Sequence, residues 1–265
     1  MRRFFLPPDL LQREDVCLPA DLLQHLKVLR ISVGERIELF DGRGQRVQAL
    51  ITELHKSSGQ ARVEQRRQEP RPPLALRLIQ GIPKGSKIDL VLQKGTELGI
   101  SRFSPVYCQH GDVTLAAERL AGRNERWQKI IQEAARQSGR CHLPQLDEPV
   151  ALDTLLPRVE DDMLLVAWEQ AAEPLYDKLR NKRPQGITFL IGPEGGLAGE
   201  EVAMARDVGF QTVSLGPRIL RSETAGIAVA SILQYLFGDL GSAGAGRLAP
   251  AGTNCRSSHP AFEAE

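Results

Sequence analysis

Pro70, Pro72 and Pro73 fall within four residues and separate two stretches of this chain that are patterned differently. Proline fixes φ and removes a backbone donor, so neither a helix nor a central strand runs through such a segment. The chain is therefore expected to fold as two units. The boundaries predicted from it are 1–70 for a first domain, 74–240 for a second, and 241–265 for a tail. The tail is dominated by Gly, Ala, Ser and Pro without periodicity and reads as disordered.

Before the prolines the pattern is that of strands. Arg36–Phe40 and Val47–Ile51 flank Asp41-Gly42-Arg43-Gly44, a hairpin signal. Gln60–Gln65 fits a further strand. Residues 20–30 place Leu22, Leu23, Leu26 and Leu29 on one helical face. After the prolines, apolar runs alternate with helical patterns. Strands are expected at Leu74–Gln80, Phe103–Cys108, Met163–Trp168, Ile187–Ile191 and Thr212–Leu215. Helices are expected from Ser86 to Leu98, over Leu115–Ser138 with a break near Gly122, over Glu200–Val208 and over Ser222–Phe237. Ser86 with Asp89 resembles a capping box. Such alternation predicts an α/β domain with a mostly parallel sheet.

Composition removes several function classes. No run of 18 apolar residues exists, so no membrane-spanning helix is expected. Pro7 and Pro8 end the apolar start too early for a signal peptide. Cys17, Cys108, Cys141 and Cys255 are far apart, which points to reduced thiols in the cytoplasm and to no metal site. The net charge of +1 argues against a nucleic-acid partner only until it is resolved along the chain. Residues 1–140 carry 24 basic and 16 acidic side chains, whereas residues 141–240 carry 8 and 15. A basic front faces an acidic back.

Four segments carry chemistry. Phe189-Leu190-Ile191-Gly192-Pro193-Glu194-Gly195-Gly196 is a buried strand running into a glycine loop, which reads either as the place where an α/β sheet binds ligands or as a tight turn before a helix at Gly199. It is neither a dinucleotide fingerprint nor a Walker A loop, because its glycine spacing is wrong for both. Leu215-Gly216-Pro217-Arg218-Ile219-Leu220-Arg221-Ser222-Glu223-Thr224-Ala225 repeats the strand, loop and helix pattern; Ser222 and Glu223 also suit a helix start. Lys84 and Lys87 sit in a strand-to-helix loop, as a phosphate site or a solvated pair. Arg136 and Arg140 lie one turn apart, able to clamp phosphate or to complement a helix dipole.

Together with Gly81-Ile82-Pro83-Lys84-Gly85-Ser86-Lys87, Gln93–Ile100 and Glu133–Arg140, these motifs stand in the order and spacing of one family. The chain resembles the bacterial 16S rRNA (uracil-N3)-methyltransferases of the SPOUT superfamily over about residues 1–240. The resemblance implies an α/β domain with a trefoil knot, preceded by a small PUA-like β-barrel that binds RNA. It implies S-adenosylmethionine bound by Leu190, Ile191, Gly192, Pro193, Glu194, Gly195 and Gly196 on one side. Leu215, Gly216, Ile219, Leu220, Arg221, Thr224 and Ala225 would bind it on the other. It implies a homodimer acting on 16S rRNA in the small ribosomal subunit, without a metal. Gln109–Thr114 departs from the family pattern, lacking two expected cations.

Uracil N3 carries a proton at neutral pH, so its methylation needs that proton removed or the anion stabilised. Arg221 is expected to stabilise the uracil anion or orient the base, and Glu223 to assist as base or orienter. His25, Arg30, Lys84, Lys94, Arg136 and Arg140 are the expected RNA contacts. Other readings are a SPOUT enzyme with another target, such as ribose 2′-O, and a non-catalytic RNA-binding assembly protein. Aromatic residues make up only 5% of the chain, which disfavours a base-stacking single-strand module.

Overall fold

The computed structural model describes residues 1–111 and 117–240. The expected tail disorder, and Asp112–Thr114 of the departing segment, lie outside the described residues.

The first half builds β1 (Arg2–Phe5), β2 (Asp15–Cys17), α1 (Ala20–Val28), β3 (Arg36–Phe40), β4 (Gln45–Leu54) and β5 (Gly59–Gln68). These strands form one sheet in the order β1-β3-β4-β5-β2, antiparallel except for the β1–β3 pair. Alternation along β4 turns Val47, Ala49 and Ile51 inward. They pack there with Leu22, Leu23 and Leu26 of α1.

The hairpin turn forms where the Asp-Gly pair predicts it. The Asp41 carboxylate accepts from the backbone N–H of Arg43 at 2.7 Å and of Gln45 at 2.9 Å. Gly42 and Gly44 take positive φ, +75° and +101°. The strands β4 and β5 are longer than the apolar runs alone suggested.

The second half builds β6 (Ala75–Gly81), α2 (Lys87–Glu97), β7 (Arg102–Tyr107), α3 (Ala117–Ser138), β8 (Gln145–Leu146), β9 (Val150–Ala151) and α4 (Leu152–Leu155). It continues with β10 (Met163–Ala167), α5 (Leu175–Leu179), β11 (Gly186–Ile191), α6 (Gly199–Asp207), β12 (Gln211–Val213) and α7 (Ser222–Phe237). The sheet order is β12-β10-β11-β6-β7-β8, with β9 also on β7, and every described ladder is parallel.

Helices cover both faces, as a parallel sheet requires. Leu76, Leu78, Ile187 and Phe189 face α2, α3 and α7, while Ile79, Val166 and Leu190 face α4 and α6. A partly buried ion-pair group sits among the strands: the Arg77 Nε donates to Ser104 at 2.9 Å, and Arg102 and Ser104 hold Asp147 at 2.8 and 2.6 Å.

Three local expectations are corrected. The Ser86 side chain makes no capping bond to α2. The helix α3 passes Gly122 unbroken, because its buried Trp127, Ile131, Ala134 and Ala135 fix its C-terminal half. Ser222 is the first residue of α7 rather than its cap, and its hydroxyl is used elsewhere.

The two halves are joined along a continuous seam. The turn at 42–44 exchanges backbone bonds with 141–143: Gly44 N–H to Cys141 O at 3.0 Å, and Leu143 N–H to Gly42 O at 2.9 Å. A Cβ on Gly44 would come within 2.5 Å of the His142 ring. Arg3 crosses the seam, donating to Arg140 O at 2.6 Å while its guanidinium lies 4.3 Å from the Phe40 ring centroid. His142 Nε2 contacts the carbonyls of Glu69 and Pro70 at 3.0 and 3.1 Å.

Candidate active site

The carboxyl ends of β10, β11 and β12 open into a single cavity of about 690 Å³. The glycine loop forms one wall, through Ile191, Gly192, Pro193, Glu194, Gly195 and Gly196. The segment after β12 forms the other, through Leu215, Gly216, Ile219, Leu220, Arg221 and Ala225. Both motifs thus meet although they are some twenty residues apart in sequence.

Packing explains why small residues are needed here. A Cβ on Gly81 would strike Pro193 at 2.6 Å, and one on Gly195 would strike His110 O at 2.8 Å. Gly196 and Gly216 take φ of +75° and +101°.

Buried polar contacts hold the loop. The Ser222 hydroxyl donates to Gly192 O at 2.5 Å and accepts from Gln80 Nε2 at 2.9 Å. Glu194 accepts from Lys87 Nζ at 2.7 Å and from Lys84 N–H at 3.1 Å. Burial would raise the Glu194 carboxyl, but the bond from Lys87 and the backbone bonds outweigh it and hold it below the ordinary range.

Other expected residues fall elsewhere. Leu190 is fully buried on the opposite face, against the α4 and α6 core, because β-strand side chains alternate. Thr224 is exposed on α7 and Glu223 is buried; neither lines the cavity. Glu223, expected as base or orienter, is buried behind the cavity wall and does not line it. Arg221 is exposed and lines the cavity.

Among the expected RNA contacts, His25, Arg30 and Lys84 are exposed. Arg30 takes φ of +54° just past the end of α1. Lys94 pairs with Glu97 at 2.9 Å and Arg136 with Glu133 within their own helices. Arg140 is corrected outright. Its guanidinium donates to Thr96 O at 2.7 Å and to Ile100 O at 2.8 Å, at the carboxyl end of α2. Burial pulls its pKa down to about 10. It ties α3 to α2 instead of meeting phosphate.

Sequence reasoning missed Glu169 and Trp168, which also line the cavity, and gave Lys87 no place there. No motif surrounds Glu169, and only the strand order brings it here.

The RNA methyltransferase domain family matches residues 70–234, and an RNA methyltransferase PUA domain matches residues 18–64. The ribosomal RNA small subunit methyltransferase E of Bacillus subtilis is 31% identical over 247 residues, which is 89% of this chain and 96% of that protein. This chain belongs to that methyltransferase family.

Solved members superpose on it closely. The Neisseria gonorrhoeae small subunit methyltransferase E, crystallised with S-adenosyl methionine, is 36% identical with a TM-score of 0.82. It covers 90% of this chain and 99% of its own. A Legionella pneumophila methyltransferase solved with bound cofactor SAM is 32% identical with a TM-score of 0.84, covering 90% and 98%. The fold is that of the SPOUT methyltransferases behind a PUA domain, and the chain is an RNA methyltransferase.

The cavity suits such a cofactor on its own evidence. Leu215, Leu220 and the 88%-exposed Ile219 offer apolar surface for a purine, and the glycine loop leaves backbone open to polar groups. Among the described residues no group of His, Cys, Asp or Glu could hold a metal, and no helix is long and apolar enough to cross a membrane.

Proposed function

We propose that this enzyme uses S-adenosylmethionine to methylate N3 of a uridine in the 16S rRNA of the small ribosomal subunit. The observation that carries this reading is the placement of Arg221 at the rim of the cavity formed by the two glycine-bearing loops. Residues 1–70 would grip the RNA and residues 74–240 would carry the transfer.

The bound cofactor supplies an electrophilic methyl group on a sulfonium. The protein's task is alignment and charge. Arg221 stabilises the N3 anion left when the proton departs to solvent; the N–CH3 bond then forms as the S–CH3 bond breaks, its electron pair staying on sulfur. N3 lies on the pairing edge of the base, so the target uridine is unpaired or flipped out. Lys84 and Arg30 would meet backbone phosphate.

The enzyme would act as a homodimer. The helix α7 buries one side against β6, β11 and α2, yet leaves Ile232, Tyr235 and Leu236 exposed on the other. A cytoplasmic location follows from the ribosomal substrate, and the described cysteines are unpaired.

Nucleoside mass spectrometry of 16S rRNA from a deletion strain tests the reading. Loss of 3-methyluridine supports it; its persistence, or loss of a 2′-O-methyl nucleoside instead, refutes it. Purified Arg221→Ala, assayed at saturating cofactor, should show turnover down about 100-fold. Light scattering of Tyr235→Glu should show monomers if α7 forms the dimer contact.

A further inference from the structure

Each of the three strands beneath the cavity ends in a different chemistry. The strand β11 leads to Glu194, already held by Lys87 and Lys84 N–H. The strand β12 leads to the apolar Leu215, Ile219 and Leu220. The middle strand, β10, is followed by Trp168 and Glu169. Glu169 is exposed, lines the cavity, and makes no hydrogen bond or ion pair among the described residues. Its carboxylate stands over the glycine loop, 3.3 Å from where a Cβ on Gly196 would lie.

We propose that Glu169 accepts hydrogen bonds from the ribose hydroxyls of S-adenosylmethionine. The purine suits the apolar wall after β12, and the ribose is the part of the cofactor joined directly to it. The neighbouring position, over the end of β10, holds the only carboxylate of the cavity wall without a protein partner among the described residues. An ionised carboxylate has two acceptor oxygens and no donor, which matches two adjacent hydroxyls. Such charge-assisted bonds are stronger than neutral ones. The cationic side chains of the wall are accounted for elsewhere: Lys87 is paired with Glu194, and Arg218 and Arg221 belong to the loop after β12. The proposal rests on the cofactor alone and is independent of which nucleotide is methylated.

The alternative attraction is electrostatic, between Glu169 and the sulfonium. Titration calorimetry on the full chain separates the two. Glu169→Gln should weaken S-adenosylmethionine and S-adenosylhomocysteine by the same factor, about tenfold. The 2′,3′-dideoxy analogue of S-adenosylhomocysteine should bind wild type and variant equally. Three results would overturn the proposal: unchanged affinity for both natural ligands, loss for the sulfonium ligand alone, or an equal loss for the dideoxy analogue. Because Glu169 is exposed and its side chain makes no hydrogen bond or ion pair among the described residues, the variant's melting temperature should match wild type.

Discussion

The hydroxyl of Ser222 donates to the carbonyl oxygen of Gly192 across 30 residues of chain, at 2.5 Å. It ties the start of α7 to the glycine loop, and Gln80 Nε2 completes the chain of bonds from β6. Ser222→Ala would leave the Gly192 carbonyl without this donor. The expected outcome is about 1–2 kcal/mol of lost stability and cofactor binding weakened several-fold, read by thermal melting and calorimetry. Wild-type affinity in a correctly folded variant would remove Ser222 from loop positioning.

Glu194 joins the glycine loop to the 82–87 loop through Lys87. Both side chains are partly exposed, so the ion pair itself should contribute under about 1 kcal/mol to stability. A double-mutant cycle with Lys87→Met and Glu194→Gln should give a small coupling in melting experiments, together with a clearer one in cofactor affinity. Equal coupling in both readouts would mean that the pair supports the fold and not the site.

Arg140 and Lys84 should behave oppositely. Arg140→Gln removes two bonds to carbonyls at the end of α2. It should cost about 2–4 kcal/mol in stability while leaving the salt dependence of RNA binding unchanged. Lys84→Glu should scarcely affect melting, but should weaken RNA binding and reduce its salt slope by about one or more. Filter binding across a salt series checks both.

Asp147 gives a pH signature. Burial raises its carboxyl, but bonds from Arg102 and Ser104, with the charges of Arg102 and Arg77, bring it below its ordinary value of 3.8. The folded protein therefore holds this proton less tightly than the unfolded chain. The group stabilises the fold above about pH 3.8, and that contribution is lost as pH falls through the lower native value. Asp147→Ala also strands the buried Arg77. Near neutral pH it should cost about 3 kcal/mol and lower the melting midpoint by about 5–10 °C. The difference from wild type should shrink as the solution is acidified below that range; a constant difference would contradict the assignment.

Much of this was legible in the residues. The hairpin at Asp41-Gly42 and the helix Ser222–Phe237 appear where local pattern placed them. Local turn chemistry and long periodicity decide such elements. The two-residue strands β8 and β9 were not legible, because two residues carry no period. Site membership failed in two informative ways. Leu190 adjoins the glycine loop in sequence, yet the strand's pleat turns it to the far core. Glu169 lies outside every motif, yet the order of parallel strands delivers it to the cavity. Arg140 looked like a free cation because a helical spacing says nothing about which carbonyls a neighbouring helix leaves bare.

The seam between 42–44 and 141–143 has a geometric consequence. Its backbone bonds and the crossing Arg3 leave little room for the first sheet to pivot on the second. The same segment continues through Arg140 into the end of α2, whose other end follows the 82–87 loop at the cavity. If the proposed function holds, the chain would work as a caliper with its jaws set: one arm would rest on folded RNA while the other reached a nucleotide at one fixed remove.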